Sequence, residues 1–550
     1  MMQMTKKNLL FLILFFILPF CFCVDYNVGP SQEYTTIGAV PWTTLEAGDR
    51  VRIHYRDTPY AEKFIIARSG TADDPIIVEG VPNSDGVKPT ITGEDAVVVP
   101  DVDYWNEPRG LIKIGGSNKP ADSTPEHIKV SNLRLEKAHK SYTFTNCDGG
   151  TEAYADNAAG VYIEKAKDIV LDNLEVTDNG NGIFIGINGG LTERITIQYC
   201  YIWGNGNVGS YYEHNTYTSA LGIVYQYNRF GALREGADGN NLKDRSAGIV
   251  IRYNWIENGN RQLDLVDCGD ETITAMDVYG KTYVYGNVLR ETTDDGNQQM
   301  IHYGGDSGTE TKYRKGTLYL YYNTIVSTRS VKTNLLNLST NDETCDMRNN
   351  IVYESQKKLS LLNSNGILNM KNNHITEGYV NTFNSQSSFN GQITDEGTIA
   401  EATDCFVDVG SSDYFLKENC SCIGAATGLA SGFTSDHQIT NQYVEHLQSL
   451  ARKNDLDLGA FAYDPNQDDS DGGNNGDDDD DGDDDDKVKA DDDDDTTNKG
   501  GIAAGIIVGV LMLFLIVFVL ISYKKNGKST KLMFLSWKMN TKNAFSRSNK

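Results

Sequence analysis

Cysteine is scarce in this chain: nine residues in 550, two of them within the first 23. The remaining seven are Cys147, Cys200, Cys268, Cys345, Cys405, Cys420 and Cys422. An odd count in so large a chain excludes a disulfide framework as the organising principle. Positive charge is also short, with 49 Lys and Arg against 76 Asp and Glu and a net charge of −27. That balance excludes nucleic acid as a partner. The L-x-x-L-x-L pattern of leucine-rich repeats is missing. The Asp-rich segment 464–500 lacks the ligand spacing and flanking helices of an EF-hand.

The chain ends are not globular. Residues 1–23, "MMQMTKKNLLFLILFFILPFCFC", place two lysines before a long apolar run. That is the pattern of a secretory signal, although no clean small-x-small cleavage motif occurs near Cys23–Asp25. An uncleaved anchor is the rival reading. Residues 501–522 are apolar and uncharged over a length that spans a bilayer core. The tail 523–550 carries basic residues and no acidic ones, which puts it in the cytosol. Between them, 464–500 is an extended Asp/Gly/Asn stalk that holds seventeen Asp between 468 and 495. The expectation is a single-pass type I protein of the plasma membrane or endomembranes. Its working domain, 24–463, lies outside the cell or in a lumen. The compartment is oxidising and permits disulfide pairing, and the sequons at Asn337 and Asn419 permit glycosylation.

Repetition dominates the middle of the chain. Segments such as "DIVLDNLEVTDNG" (168–180), "GIVIRYNWIENG" (248–259) and "GTLYLYYNTIVS" (316–327) share the pattern apolar-x-apolar-x-x-N-x-apolar. One aligned column reads Leu133, Leu174, Cys200, Asn228, Asn254, Asn287, Asn323, Asn350, Asn373. Most intervals in it are 23–36 residues. Coils of that length with several short strands stack as a solenoid, and aligned asparagines bond from coil to coil. The fold class is therefore all-β: a single-stranded right-handed parallel β-helix with N- and C-terminal caps, plus the C-terminal transmembrane helix. Cys200 and Cys345 fall on inward columns as buried thiols. Residues 142–157 read as an insertion loop. From about 379 to 463 the ladder is lost and the solenoid closes, with 441–454 as a short amphipathic helix.

β-Helices present long faces suited to polysaccharides, and 30 tyrosines are available to stack on sugars. Clusters such as "SYYEHNTYTS" (210–219) make Tyr211, Tyr212 and His214 candidate substrate-binding residues, with Glu213 and His214 a weaker acid/base pair. Within "GNNLKDRSAGIVIRYNWIENGNRQLDLVD" (239–267), "NNLKDRS" is expected on the preceding face and "RQLDLVD" on the following face of one coil. Against "AGVYIEK" (159–165) and "GNGIFIGI" (180–187), this coil substitutes Lys243, Arg245 and Asp264 at matching sites. Buried charge needs partners, so these groups either pair or line a cleft. A salt-bridged surface turn is the plain alternative.

The run Lys-x-x-x-x-x-apolar-x-apolar-Arg-x-Asn, followed by a Leu-x-Leu strand, resembles the catalytic region of the chondroitinase B and alginate lyase family. The beginning of the domain, "YNVGPSQEYTTIGAVPW", resembles many secreted β-helix proteins that degrade polysaccharides. The resemblance implies β-elimination on an acidic, uronic-acid polysaccharide, with Lys243 as base. Such chemistry needs the uronate carboxylate neutralised before a base removes the C5 proton. Arg245 would lower the Lys243 pKa or neutralise that carboxylate. Asp238, Asp264 and Asp267, or Glu235, would bind calcium through hard oxygen ligands. One departure stands out: Val266 occupies about the place of the family's leaving-group arginine, which leaves Arg261 or His302 to substitute. A β-helix glycoside hydrolase and a non-catalytic cell-surface glycan-binding adhesin remain the alternatives.

Overall fold

The computed structural model describes residues 23–121, 124–187, 192–429, 435–444 and 448–465. Of the expected signal segment and stalk, only Cys23, Asp464 and Pro465 are among them, and 501–550 lies outside. No helix of the described residues is long and apolar enough to cross a membrane.

Nearly every regular element is a short strand, and the strands fall into three long sheets of 13, 11 and 13 members. Each turn of the chain contributes one strand to each sheet. Ala247–Arg252 joins the first sheet, Trp255–Glu257 the second and Leu263–Leu265 the third. Successive coils pair in parallel, so the chain winds as a parallel β-helix. Side chains alternate in and out along each strand, which turns every position into a column. One inward column of the first sheet reads Ile128, Ile169, Ile195, Ile223, Ile249, Thr282, Leu318, Cys345, Leu368. All of these residues are buried, and Cys200 and Cys345 are free buried thiols as expected.

The asparagine column forms the ladder it predicts. The side-chain amide of Asn228 donates to Asn254 Oδ1 at 2.9 Å, and the pattern continues through Asn287, Asn323 and Asn350 to Asn373 at 2.9–3.0 Å. Each Asn Oδ1 also accepts the backbone N–H of its neighbour in the column. The residue just before each rung bends left-handed: Tyr227, Tyr253, Tyr322, Asn349 and Asn372 have φ of 51–57°. For tyrosine that conformation costs roughly 1–2 kcal/mol. The doubly bonded rung beside it and tyrosine stacking at 4.9 and 5.3 Å along Tyr199–Tyr227–Tyr253 offset the cost. A second ladder, Asn179–Asn205–Asn215–Asn241, runs through another corner at 2.9–3.1 Å. It ends one residue before Leu242–Asp244 and so fixes the height of that strand.

The insertion 142–157 is a hairpin, Thr143–Thr145 against Thr151–Ala153, at the edge of the third sheet. Beyond residue 379 the coiling continues for one more rung, Gln392–Glu396 and Ile399–Glu401. The expected helix over 441–454 is instead a hairpin, Asn441–Val444 against Gln448–Ala451. Tyr443 is buried there while Leu450, which an amphipathic helix would bury, is 50% exposed. Strand geometry wins because Tyr443 stands against Trp255, with ring centroids 6.1 Å apart, and Arg452 is buried against backbone carbonyls. The C-terminal segment thus runs back along the flank of the solenoid, where Gln438 O accepts from Tyr253 OH and Ser449 Oγ meets Tyr199 OH.

Candidate functional site

The outward column of the third sheet is where the scaffold changes character. In register it reads Lys113, Tyr162, Phe184, Tyr217, Lys243, Asp264, His302, Asn337. Tyr162, Phe184 and Tyr217 form an edge-to-face row with centroids 5.3 Å apart. The next three coils replace that row with an ammonium, a carboxylate and an imidazole. "NNLKDRS" and "RQLDLVD" therefore do not sit on two faces of one coil. They are neighbouring rungs of one sheet, because each coil returns to that sheet once per turn and 21 residues separate Lys243 from Asp264.

Lys243 Nζ donates to Asp264 Oδ2 and, at 2.7 Å, to Asp306 Oδ2. Arg245 reaches the same Asp306 carboxylate at 2.9 Å and also donates to the Asp267 carbonyl. Asp306 is thus held between two cations. Burial alone would raise its carboxyl, but Lys243 and Arg245 outweigh burial and hold it below the usual range. Asp264 is buried, and burial again works upward. The His302 hydrogen bond and the Lys243 charge reverse that and hold the carboxyl well below its ordinary value. Asp264 Oδ1 lies 2.7 Å from His302 Nδ1, while Asn240 Nδ2 donates to Oδ2 at 2.8 Å. With Nδ1 facing a carboxylate, the proton belongs on Nδ1 and the lone pair on Nε2. Nε2 lies 3.0 Å from Ser339 Oγ.

The remaining expected residues divide. His214 is buried and accepts the Asn240 N–H on Nδ1 at 2.8 Å. Burial, then Lys243, pull it down to about 3, so it is a neutral support under the site. Arg261 donates to Gln299 at 2.9 Å and stands 3.9 Å from Asp264. Tyr211 and Tyr212 are 62% and 78% exposed on the neighbouring loop, outside the charged cluster. Val266 is fully buried, so the residue facing out on the Lys243 column is Asp264. Asn337 belongs to the column itself, beside His302, whereas Asn419 is exposed. The donor set does not fit a calcium cage. Both oxygens of Asp264 are engaged by cations and amides, and Asp267 Oδ1 accepts the Asp306 and Ser307 N–H groups. Asp238 is not among the described clusters whose ligand atoms converge.

Three residues of this site went unassigned in the sequence. Asp306 lies four positions after His302 in "MIHYGGDSG". Ser339 stands one coil further on, and Gly304 (φ 134°) leaves room for it, since a Cβ there would lie 2.5 Å from Ser339 Oγ. The third is Tyr217, which donates no signal beyond its tyrosine cluster. Together Tyr217, Arg245, Asp267, Asp306, Ser307 and Lys312 line an open cleft of about 510 Å³. Farther along the column, Lys113 and Glu164 form a closed buried pair, with burial lowering Lys113 to about 8.

No protein-family profile and no curated protein sequence matches this chain. Among solved structures it is similar to the pectate lyase Pel9A, at 12% identity over 80% of this chain and 98% of that one, with a TM-score of 0.42. It is also similar to an alginate lyase from Paenibacillus sp. (13% identity, 60% and 92% covered, TM-score 0.35). A surface adhesin of Streptococcus pneumoniae, PfbA, is a further neighbour (11%, 64% and 84%, TM-score 0.37). The architecture itself rests on the strand pairing described above.

Proposed function

We propose that this protein is a membrane-anchored, extracellular polysaccharide-active right-handed β-helix that cleaves a uronic-acid polysaccharide by β-elimination. The observation that carries the reading is Asp306, a single carboxylate held by both Lys243 and Arg245 at the edge of an aromatic row. Two converging cations form a receptor for a carboxylate, and a substrate uronate would take the place that Asp306 now fills. Sugar rings would lie along Tyr217 and its neighbours, whose faces suit apolar sugar surfaces. Once the carboxylate is neutralised, the C5 proton becomes removable.

Lys243 Nζ already donates to two carboxylates, so the base role falls to His302. Its Nδ1 is oriented by Asp264, which leaves Nε2, beside Ser339 Oγ, as the basic nitrogen. In the reaction Nε2 takes the C5 proton, the C4–C5 double bond forms, the C4–O bond breaks and the leaving oxygen takes a proton from water. The segment 464–500 would act as the stalk and 501–522 as the anchor. The test is the purified protein on a panel of uronate polysaccharides, followed by absorbance of unsaturated uronides. His302→Ala should abolish the signal; retention of full activity in that variant rejects the assignment.

A second reading rests on one further distance. Ser339 Oγ, 3.0 Å from His302 Nε2, would complete a carboxylate–imidazole–hydroxyl relay on turning its proton from Gly305 O to Nε2. Such a relay activates a serine for acyl transfer. Release of acyl groups from an esterified polysaccharide, lost in Ser339→Ala, with no new ultraviolet absorbance would favour ester hydrolysis.

A further inference from the structure

A second constellation lies on the far side of the solenoid, where the C-terminal segment docks on the second sheet. His374 opens the strand His374–Thr376, Cys405 precedes Phe406–Asp408, and Cys420 and Cys422 follow Asp413–Leu416. The ligand atoms of His374, Cys405 and Cys422 all lie within 4.8 Å of one another, and all three residues are buried. Cys420 is next to them and interacts with both the Cys405 and the Cys422 side chains, though its sulfur is outside the group that converges with the ring. None of these sulfurs is joined in a disulfide.

An independent observation comes from the imidazole. His374 is only 2% exposed, yet neither of its ring nitrogens has a hydrogen-bond partner. Glu401 Oε2 is the nearest acid at 3.7 Å from Nε2, beyond hydrogen-bond reach. A buried imidazole with both nitrogens idle is costly unless something binds it. Two converging sulfurs beside it, those of Cys405 and Cys422, with Cys420 adjacent, supply the missing reason.

We propose that His374, Cys405 and Cys422, joined by the adjacent Cys420 as fourth ligand, bind one zinc-class transition-metal ion as a closed Cys₃His structural site. Three thiolates and one imidazole match the ligand number and softness that tetrahedral zinc takes in structural centres. Binding converts three thiols to thiolates and releases their protons, so occupancy rises with pH. Glu401, which accepts from Ser421 Oγ at 2.8 Å, stands outside the ligand shell.

The role is mechanical. The site joins one rung of the solenoid to the 402–422 segment, whose Phe406, Tyr414, Leu416 and Cys422 cover Val326 and Ile351. Metal at this point would seal the flank that the second sheet otherwise presents to solvent. The ligands come from sequence positions up to 48 residues apart (374 to 422), so the clamp also closes a long loop.

The experiment uses the full chain, loaded with zinc, passed over chelating resin and measured by elemental mass spectrometry. One zinc per chain is expected in the wild type and background zinc in Cys405→Ser and His374→Ala. His374→Cys should retain the metal. Cobalt(II) in place of zinc should give thiolate-to-cobalt charge-transfer absorption in the wild type, which decides the question if His374→Ala does not fold. Peptide mapping that finds Cys405 disulfide-bonded to Cys420 or Cys422 overturns the proposal. So does a wild-type chain that keeps no zinc and shows no cobalt–thiolate band.

Discussion

The Nδ1 atom of His302 stands 2.7 Å from Oδ1 of Asp264, and the other oxygen of that carboxylate accepts from Lys243. One buried carboxylate thus orients both a base and a cation on adjacent rungs of a single sheet.

Asp264→Asn keeps the volume and removes the charge. The imidazole loses its anionic partner and Lys243 loses one of two counter-ions in a buried setting. Breaking a buried pair in this way costs about 3–5 kcal/mol. Urea denaturation of the variant should show a loss of that order. Turnover should fall roughly 10²–10⁴-fold, and a variant with wild-type turnover removes Asp264 from the mechanism.

Asp306→Ala should act in the opposite sense on binding. It vacates the position between Lys243 and Arg245, so a soluble uronate oligosaccharide no longer competes with an internal carboxylate. The expected result is tighter binding by about one order of magnitude, or roughly 1.4 kcal/mol, measured by calorimetry. Unchanged or weaker affinity means that the two cations do not receive substrate.

A pH dependence of stability follows from Glu291. Burial pushes its carboxyl up from 4.5 to about 7, against the Gln262 hydrogen bond that works downward. Between these values the folded chain binds more protons than the unfolded one. Stability is therefore greatest below about pH 4.5 for this group and declines as pH rises toward 7. Glu291→Gln should flatten the melting temperature across that window and stabilise the protein at pH 8. A steeper decline in the variant contradicts the assignment.

Asn287→Leu tests the ladder. The change leaves the Asn254 backbone N–H and side-chain amide without their shared acceptor at the same buried corner. With about 1–3 kcal/mol for each orphaned group, a loss of about 3 kcal/mol is expected in thermal or urea unfolding. A loss below about 0.5 kcal/mol would mean that water replaces the rung.

The coiled architecture was legible because its cause is local and repeated. Each rung carries the same inward apolar pair and the same asparagine, so Asn228 through Asn373 align without any knowledge of three-dimensional contacts. The hairpin over 441–451 was not legible. A short segment with Tyr443, Val444 and Leu450 suits either period, and contact with Trp255 decided between them. The charges of 243–267 were recognisable as out of place, yet their relation to one another was misjudged. One coil of residues separates neighbours in a column, and the length of that coil varies from rung to rung.

From the sequence alone come the coil of stacked short strands, the inward and outward alternation, the asparagine rungs and the suspicion that Lys243, Arg245, Asp264 and His302 matter. These depend on side-chain period and on polarity, which any single coil displays. Only the tertiary structure brought Asp306 between Lys243 and Arg245, Ser339 to His302, and His374 to Cys405 and Cys422 of the returning segment. Those contacts join residues 31 to 63 positions apart, across turns whose lengths obey no repeat. Their proximity is a property of stacking, not of pattern.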